Sequence, residues 1–211
     1  MLVAATSATH TPWSTRNVSR SGTVGSTARA SVIAIGPGLG QDGWAQEMLA
    51  MAAARNLPLV ADADALNLLA QIDLPRQHWV LTPHPGEAAR LLGESSKEVS
   101  KDRFLTINRL AEKHDATVVL KGAGTLVQSK AGFPGVCGGG NPAMASGGMG
   151  DVLTGIIAGL IAQGLGLSDA ARLGVCLHRK AADMATRGIG ERGLLASDLM
   201  PAIRRLVNPE A

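Results

Sequence analysis

The sequence contains no tyrosine and very few other aromatic residues. Its 211 residues include two phenylalanines and three tryptophans, so aromatic residues make up 2% of the chain. Proteins that bind single-stranded nucleic acids stack the bases on aromatic side chains. The formal net charge of +3 is also small for a protein that binds by neutralising many backbone phosphates. We therefore expect no nucleic-acid partner, whereas a small anionic ligand is compatible with this charge.

Cysteines and long apolar segments are also scarce. The two cysteines, Cys137 and Cys176, are too few for a disulfide framework or a cysteine-based metal site, which predicts reduced thiols in a cytoplasmic protein. The longest apolar run, residues 152–167, is interrupted by Gln163 and by glycines. A membrane-spanning helix needs about 20 apolar residues. We expect this run to form a buried helix, and we expect no membrane partner.

Residues 1–30 contain no aspartate or glutamate and are rich in serine and threonine. Transit peptides and disordered tails share this bias. We predict an irregular segment over residues 1–30, a truncated or altered start, followed by one domain over residues 31–211. Residues 10–30 show neither a long apolar run nor helical periodicity, so we expect them to be loosely packed. The sheet would then end early with an open edge, and we expect a homo-oligomer.

From residue 31 onward, short apolar runs alternate with segments of helical periodicity. The predicted strands are residues 32–35, 58–61, 79–81, 117–120 and, as part of a hairpin, 125–128. Ser95 and Glu98 predict a capping box for one helix that carries Phe104 and Ile107. Strands that alternate with helices indicate a three-layer α/β/α fold with a mostly parallel central sheet.

Four polar turns follow these predicted strands. They are the turns at 36–38, at 62–64, at His84 and at Lys121. Because ligands in such folds bind beyond the carboxyl ends of the strands, the four turns together predict one binding site. Each turn by itself also fits a purely steric role, since turn residues are common where strands end.

The strongest candidate segment is glycine-rich and leads directly into an apolar helix. It is residues 141–151, Asn-Pro-Ala-Met-Ala-Ser-Gly-Gly-Met-Gly-Asp. Glycines let backbone N–H groups approach an anion, and a helix N-terminus attracts negative charge. The segment is neither a P-loop nor a Rossmann fingerprint. A carboxylate beside a bound phosphate is repelled, so its presence there indicates a role such as accepting a proton from an attacking hydroxyl group, and Asp151 is a candidate for that role. The alternative is that Asp151 is an ordinary acidic residue in the first turn of a helix.

Taken in order, these segments resemble five motifs of the ADP/ATP-dependent NAD(P)H-hydrate dehydratases, a branch of the ribokinase-like superfamily. The motifs are residues 32–40, 59–67, 81–87, 119–125 and 141–164. The resemblance implies a ribokinase-like fold and an enzyme, a lyase, that repairs hydrated NADH or NADPH. Such an enzyme phosphorylates the ring hydroxyl from ADP and then releases AMP, phosphate and the restored cofactor. Phosphate is a far better leaving group than hydroxide, which explains the use of ADP.

The same resemblance implies a role for each candidate site residue. Asp151 would be the catalytic base and would contact the hydrated nicotinamide nucleotide together with Gly38 and His84. The residues that would bind ADP are Lys121, Gly122, Ala123, Gly124, Thr125 and Gly150. Glu87 would help to hold Mg²⁺. As alternatives, His84 is only a turn residue and Glu87 is only a solvated acid at the start of a helix.

Two other functions fit parts of the sequence. A ribokinase-like kinase for a vitamin precursor shares the glycine–aspartate turn at residues 150–151, and a nucleotide-binding remnant without turnover would fit the irregular start. The segments 84–87 and 121–125 favour the dehydratase over the kinase. Product analysis separates the two enzymes, because a kinase accumulates a phosphorylated product whereas a dehydratase releases phosphate.

Overall fold

The computed structural model describes residues 2–5, 30–74 and 78–208. Its strands are β1 (Leu2–Ala5), β2 (Val32–Ile35), β3 (Leu59–Ala61), β4 (Trp79–Leu81), β5 (Thr117–Leu120), β6 (Thr125–Gln128) and β7 (Gly135–Cys137). Its helices are α1 (Gly43–Ala53), α2 (Asp64–Leu69), α3 (Pro85–Leu92), α4 (Ser96–Lys101), α5 (Arg103–His114), α6 (Met149–Ala162), α7 (Leu167–Thr186) and α8 (Leu199–Val207). The predicted alternation of strands and helices is confirmed from β2 to β5.

The seven strands form one sheet in the order of the sequence. The four central strands, β2 to β5, are parallel to one another. The outer strands are antiparallel to their neighbours: β1 to β2, β6 to β5 and β7 to β6. The predicted α/β class and the hairpin strand are confirmed, but parallel pairing is limited to the centre. The reason is that the short turns after β5 and β6 permit only antiparallel pairing, whereas parallel strands need a longer crossover.

Helices cover both faces of the sheet, which gives the three predicted layers. Alternate residues of β2 point to opposite faces, so that Val32 and Ala34 pack with α6 and α7. Ile33 and Ile35 pack with α1, α2, α3 and α5 on the other face. All four side chains are buried. Burial on both faces explains why this strand is an unbroken apolar run rather than an alternating one.

The edge of the sheet beside β2 is covered by the start of the chain. Leu2 lies opposite Ile35 and Ala5 lies opposite Val32 in an antiparallel ladder. The prediction of an open edge at β2 is therefore wrong, because β1 supplies hydrogen-bond partners that an edge strand would otherwise lack. The predictions for residues 10–30 fall on a segment outside the described residues, apart from residue 30. The boundary between an irregular start and a domain from residue 31 stays a prediction.

The predicted single helix after Ser95 is two helices. The capping box forms as expected, because Ser95 Oγ accepts from the Glu98 N–H and the Glu98 carboxylate accepts from the Ser95 N–H. This box begins only the short helix α4. Asp102 then adopts an extended conformation and its carboxylate accepts from the Leu105 N–H at 2.9 Å, which begins α5. The break places Arg103 at the start of a new helix, beside the turn after β5.

The apolar run at 152–167 lies mainly in α6, whose inner face packs against the sheet. The predicted buried helix is confirmed. In the portions of the chain that the structure describes, no helix is both long enough and apolar enough to cross a bilayer. The cysteines Cys137 and Cys176 are both free thiols.

Candidate functional site

The four polar turns predicted from the sequence lie at one edge of the sheet. They follow the carboxyl ends of the parallel strands β2 to β5. Backbone hydrogen bonds join them, since Asp62 N–H donates to the Ile35 carbonyl at 3.1 Å and Lys121 N–H donates to the Pro83 carbonyl at 2.8 Å. Gly36 must be a glycine, because a Cβ there would lie 1.7 Å from the Asp62 carbonyl oxygen. The turns therefore form one continuous surface.

A buried ion pair lies at the centre of this surface. Lys121 Nζ is 2.7 Å from Asp62 Oδ1 and 3.7 Å from Glu87 Oε2. The side chain of Asp62 is 2% exposed, whereas that of Lys121 is 20% exposed. One cation thus lies between two carboxylates, which compensates part of their charge in a region with little water. Asp62 was noted in the sequence only as a turn residue, and its pairing partner is 59 positions away.

The glycine-rich segment brings the start of α6 against this ion pair. Thr154 Oγ1 donates to Asp62 Oδ2 at 3.0 Å. A Cβ at Gly150 would lie 3.3 Å from both Asp62 Oδ2 and Lys121 Nζ, which is a tight contact, so a glycine lets the helix approach the ion pair without crowding it. Gly148 precedes the helix with a φ of +83° and provides no side-chain cap. The first N–H groups of α6 therefore have no capping side chain and are available to donate hydrogen bonds to an anion.

Asp151 lies in the first turn of α6 and its side chain is exposed. Partial burial raises the pKa of its carboxyl group above the ordinary value, the nearby Asp62 carboxylate raises that pKa further, and Lys121 opposes both effects. A carboxylate with a raised pKa is a better proton acceptor than an ordinary aspartate. The Asp151 carboxylate is therefore both accessible to a ligand and more basic than an ordinary aspartate.

A cavity of about 700 Å³ opens beside the ion pair and the start of α6. Its walls come from the turn after β5, from β7, from the glycine-rich segment and from α6 and α7. The lining residues include Lys121, Gly122, Ala123, Gly124, Thr125 and Gly150, which are all six residues that the sequence assigned to ADP. Gly38, His84, Glu87 and Asp151 do not line it. Gly38, His84 and Asp151 are exposed outside this cavity, whereas Glu87 is buried.

Arg103 holds the turn that forms one wall of this cavity. Its guanidinium group donates to the Ala123 carbonyl at 2.5 Å, the Leu120 carbonyl at 3.1 Å and the Lys121 carbonyl at 3.4 Å. The sequence analysis missed this residue. The sequence offered no signal for it, because the start of α5 is visible only in the structure, where the helix dipole disfavours a positive charge. A cation there needs another partner, and the three carbonyl groups supply it.

His84 and Glu87 cap helix α3 together. His84 Nδ1 accepts from the N–H groups of Gly86 at 2.9 Å and Glu87 at 3.3 Å, while Glu87 Oε2 accepts from the His84 N–H at 2.8 Å. The His84 side chain is nonetheless 49% exposed, and its Nε2 lies 3.4 Å from Glu87 Oε1. The turn role weighed for His84 is thus present, and the predicted contact with a substrate stays a prediction.

The residues around Glu87 do not by themselves form a Mg²⁺ site. No cluster of three or more His, Cys, Asp or Glu side chains suited to a metal ion occurs in the described parts of the chain. One Glu87 oxygen caps α3, and the Lys121 ammonium at 3.7 Å repels a cation. Magnesium is often held mainly by the phosphates of a nucleotide. The predicted role of Glu87 toward Mg²⁺ stays a prediction.

Gly38 lies in the turn after β2, with a φ of +63° and open space where a side chain would be. Asp64 fixes the end of this turn, because its Oδ2 accepts from the Gly40 N–H at 2.9 Å. The turn is therefore both exposed and ordered. That combination fits the predicted contact with a substrate, which the structure leaves as a prediction.

Comparison with known proteins gives one consistent family. A sequence model of a family described as NAD(P)H-hydrate dehydratase matches residues 3–205. The chain is 56% identical over 180 residues to a bifunctional NAD(P)H-hydrate repair enzyme of Coxiella burnetii, which covers 85% of this chain and 37% of that protein. It is 49% identical over 181 residues to the enzyme of the same name from Escherichia coli, with coverage of 86% and 35%. The chain thus spans little more than a third of the length of these relatives.

A solved structure agrees with the sequence comparisons. It is the ADP/ATP-dependent NAD(P)H-hydrate dehydratase of Bacillus subtilis, co-crystallised with ATP and Mg²⁺. The two chains are 33% identical and superimpose with a TM-score of 0.78, which covers 84% of this chain and 64% of the other. The ribokinase-like fold predicted from the sequence is thereby confirmed.

Proposed function

This chain belongs to the NAD(P)H-hydrate dehydratase family, and from that premise we propose that it dehydrates hydrated NADH or NADPH with ADP as co-substrate. The products are the restored cofactor, AMP and phosphate. One observation carries the proposal: an uncapped helix start with an exposed, more basic Asp151 abuts the Lys121–Asp62 pair at the mouth of a large cavity. Phosphoryl transfer depends mainly on such positioning and charge compensation.

The cavity is the proposed site of ADP. The turn at residues 121–125 would lie along the nucleotide, and the first N–H groups of α6 would bind the β-phosphate. Lys121 supplies the positive charge, held in place by Asp62 at 2.7 Å. A fixed ammonium group stabilises the charge of the transferring phosphoryl group without having to reorient during the reaction.

The hydrated nicotinamide nucleotide is proposed to bind on the neighbouring surface of Gly38 and His84. Asp151 accepts the proton of the ring hydroxyl as that oxygen bonds to the β-phosphorus of ADP, and the bond from phosphorus to the AMP oxygen breaks. The phosphate then leaves with the electrons of the C–O bond, and the adjacent ring carbon loses a proton to water, so that the electrons of this C–H bond restore the ring double bond. Mg²⁺ would compensate phosphate charge when bound.

Turnover can be tested directly. Hydrated NADH and the purified chain, with Mg²⁺ and ADP, should regain absorbance at the band of reduced nicotinamide, with AMP and phosphate formed in equal amounts. A stable phosphorylated product without that absorbance would instead indicate a ribokinase-like kinase. Binding of ADP with neither product would indicate a nucleotide-binding remnant. A homo-oligomeric state and a cytoplasmic location stay predictions of the sequence.

The first prediction concerns the choice of nucleotide. We expect kcat/KM with ADP to exceed that with ATP by about tenfold or more, because the additional phosphate brings negative charge toward the carboxylates of Asp62, Glu87 and Asp151, and the Lys121 ammonium offsets only part of that repulsion. Initial rates with each nucleotide at the same Mg²⁺ concentration measure this ratio. Equal or higher kcat/KM with ATP would contradict it.

The second prediction concerns Arg103. Arg103→Lys keeps the charge but removes the fork that contacts three carbonyl groups, so the turn at residues 121–125 loses its position. We expect the dissociation constant of ADP to rise about tenfold, with little change in kcat at saturating ADP. Calorimetric titration and steady-state kinetics separate the two quantities.

Arg109→Lys is the matched control for this experiment. Arg109 lies on the same helix, α5, and pairs with Glu94 at the surface. It should leave ADP binding unchanged. If Arg103→Lys lowers kcat or the melting temperature while ADP binds as tightly as before, the guanidinium group does not position the turn.

A further inference from the structure

The two cysteines of the chain lie on elements that pack against each other, the strand β7 and the helix α7. Cys137 is the last residue of β7, and Cys176 lies near the middle of α7. Both are free thiols, of which Cys137 is half-buried and Cys176 is exposed. Neither the family resemblance nor the proposed mechanism assigns a role to either side chain.

Contacts on both sides of the cysteines fix how the strand lies on the helix. A Cβ at Gly135 would clash with Arg172 Nη1, and a Cβ at Gly139 would lie 2.8 Å from Arg179 Nη1. Arg172 Nη2 also donates to the Phe133 carbonyl at 2.9 Å. The strand therefore runs along the helix from Arg172 toward Arg179.

The periodicity of each element places the thiols between these contacts. In a strand, residues two apart share a face, so Cys137 points in the same direction as Gly135, toward α7. In a helix, residues three and four apart are neighbours on one face, and Cys176 is related in this way to both Arg172 and Arg179. The two side chains therefore face each other across the contact between β7 and α7.

Burial and electrostatics agree with this placement. Cys137 packs against the buried cluster that contains Val175, the residue before Cys176. Val136, the alternate residue of the strand, points away from the helix and is 56% exposed. Burial raises the pKa of the Cys137 thiol, the adjacent Cys176 raises that pKa further, and Arg179 opposes both effects. The two thiols thus affect each other directly.

We propose that Cys137 and Cys176 form a dithiol modification site, which small-molecule disulfides convert into a reversible disulfide bond between β7 and α7. Cys176 reacts first, because its exposed side chain is accessible to the reagent. Its thiolate bonds to one sulfur of the reagent, the S–S bond of the reagent breaks, and the first reagent thiolate leaves with that electron pair. This thiolate takes up the proton that Cys176 lost.

The second step closes the bond within the protein. The thiolate of Cys137 bonds to the sulfur of Cys176, and the second reagent thiolate leaves and takes up the proton that Cys137 lost. The two protein thiols are thereby oxidised, and the two sulfurs of the reagent are reduced to thiols. No other oxidant is needed.

The bond would connect the edge of the sheet to the helical layer. Among the described strands, β7 pairs with β6 alone, and Cys137 and Arg179 both line the large cavity. A disulfide would therefore hold one wall of this cavity in place. The inference does not depend on the reaction that we propose for the cavity.

The first measurement uses the full reduced chain and glutathione disulfide, followed by mass spectrometry and by electrophoresis without reductant. We expect the product to lack two hydrogen atoms, to carry no glutathione and to remain a single chain, with the peptides of Cys137 and Cys176 joined. Dithiothreitol should restore the reduced mass. A lasting glutathione adduct, or a bond between two chains, would overturn the proposal.

Two single variants separate the steps of the reaction. Cys137→Ser should stop at a mixed disulfide of glutathione with Cys176, because the second protein thiol is missing. Cys176→Ser should react more slowly, since its remaining thiol is half-buried. Equal rates for the two variants would contradict the proposed order of the steps.

A final measurement tests whether the fold brings the thiols together. Glutathione redox buffers give the effective concentration of one thiol toward the other, in the native chain and in urea. We expect a native value at least about tenfold above the millimolar range of a flexible connection, and a lower value in urea. The oxidised chain should accordingly melt about 5 °C or more above the reduced chain.

Equal effective concentrations in the native and the unfolded chain, or an unchanged melting temperature, would overturn the proposal. These measurements use the unmodified protein, so the result does not depend on whether a variant folds. Formation of the disulfide in a chain that shows no turnover in its reduced state would overturn the dehydratase function and leave the modification site intact.

Discussion

Replacing Asp151 with asparagine should lower kcat by about 10²–10⁴-fold, the usual loss when a general base is removed. The amide keeps the shape of the carboxylate but cannot accept the hydroxyl proton. Binding of ADP should survive and become slightly tighter, because a negative charge at the start of α6 is removed. Steady-state rates and calorimetric titration with ADP measure the two effects separately.

Asp169→Asn is the matched control for the alternative that Asp151 is only an acidic residue in the first turn of a helix. Asp169 is exposed in the first turn of α7. Both changes remove an acidic side chain from the first turn of a helix, but only Asp151→Asn should abolish turnover. Retention of more than about a tenth of the activity, well outside the expected loss, would show that Asp151 is not the base.

The raised pKa of Asp151 gives this variant a second expected property. The folded protein binds a proton at Asp151 more tightly than the unfolded chain does, because burial and Asp62 raise the pKa of that carboxyl group. The stability that protonated Asp151 contributes is fully present below the pKa of this carboxyl group in the unfolded chain. It is lost as the pH rises through the pKa of the same group in the folded protein. At neutral pH the ionised carboxylate therefore opposes folding. Asp151→Asn should leave the melting temperature unchanged or higher, which separates a catalytic defect from misfolding.

Lys121→Ala should weaken ADP binding by at least about tenfold, since a charge-assisted hydrogen bond contributes about 1.5–3 kcal/mol. The structure adds a second reason. Without Lys121, the buried carboxylates of Asp62 and Glu87 lose the cation between them and face the incoming phosphates. Calorimetric titration with ADP measures the loss. Lys130→Ala is the control, because Lys130 pairs with Asp115 at the surface, with both side chains 64% exposed, and such pairs contribute little.

The same variant should change the pH dependence of the reaction. Lys121 lowers the pKa of Asp151 and Asp62 raises it. The pH at which kcat/KM falls on the acidic side should therefore be higher in Lys121→Ala, which removes a positive charge. It should be lower in Asp62→Asn, which removes a negative charge. An unchanged ADP dissociation constant and an unshifted acidic limb would make Lys121 a structural partner of Asp62 and no more.

The order of the motifs along the chain was sufficient to predict the fold class and to bring the candidate site residues of four turns to one edge of the sheet. Each central strand is an unbroken apolar run because both faces of the sheet are covered, and each ends in turn residues at the edge where ligands bind. Gly150 and Asp151 could also be singled out as candidates, because a helix start that follows a glycine-rich segment is typical of an anion site.

Antiparallel pairing at β1 and the break at Asp102 were not evident from the sequence. Four apolar residues at 2–5 do not specify which strand they pair with, since pairing depends on the edge that the rest of the sheet leaves free. Asp102 caps α5 only because the chain is extended at that residue. In the sequence, a capping residue that directly follows a short helix looks the same as a polar residue inside one longer helix, so the boundary could not be predicted.

The sequence by itself determined the alternation of strands and helices from β2 to β5, the edge of the sheet that carries the polar turns, and the residue types available there. Only the tertiary structure decided which of those residues meet. Asp62 reaches Lys121 across 59 positions and Thr154 across 92, and Arg103 reaches the carbonyl group of Ala123 across 20. Local periodicity reports the environment of one segment, whereas these contacts arise from the packing of several segments, so no local pattern could specify them.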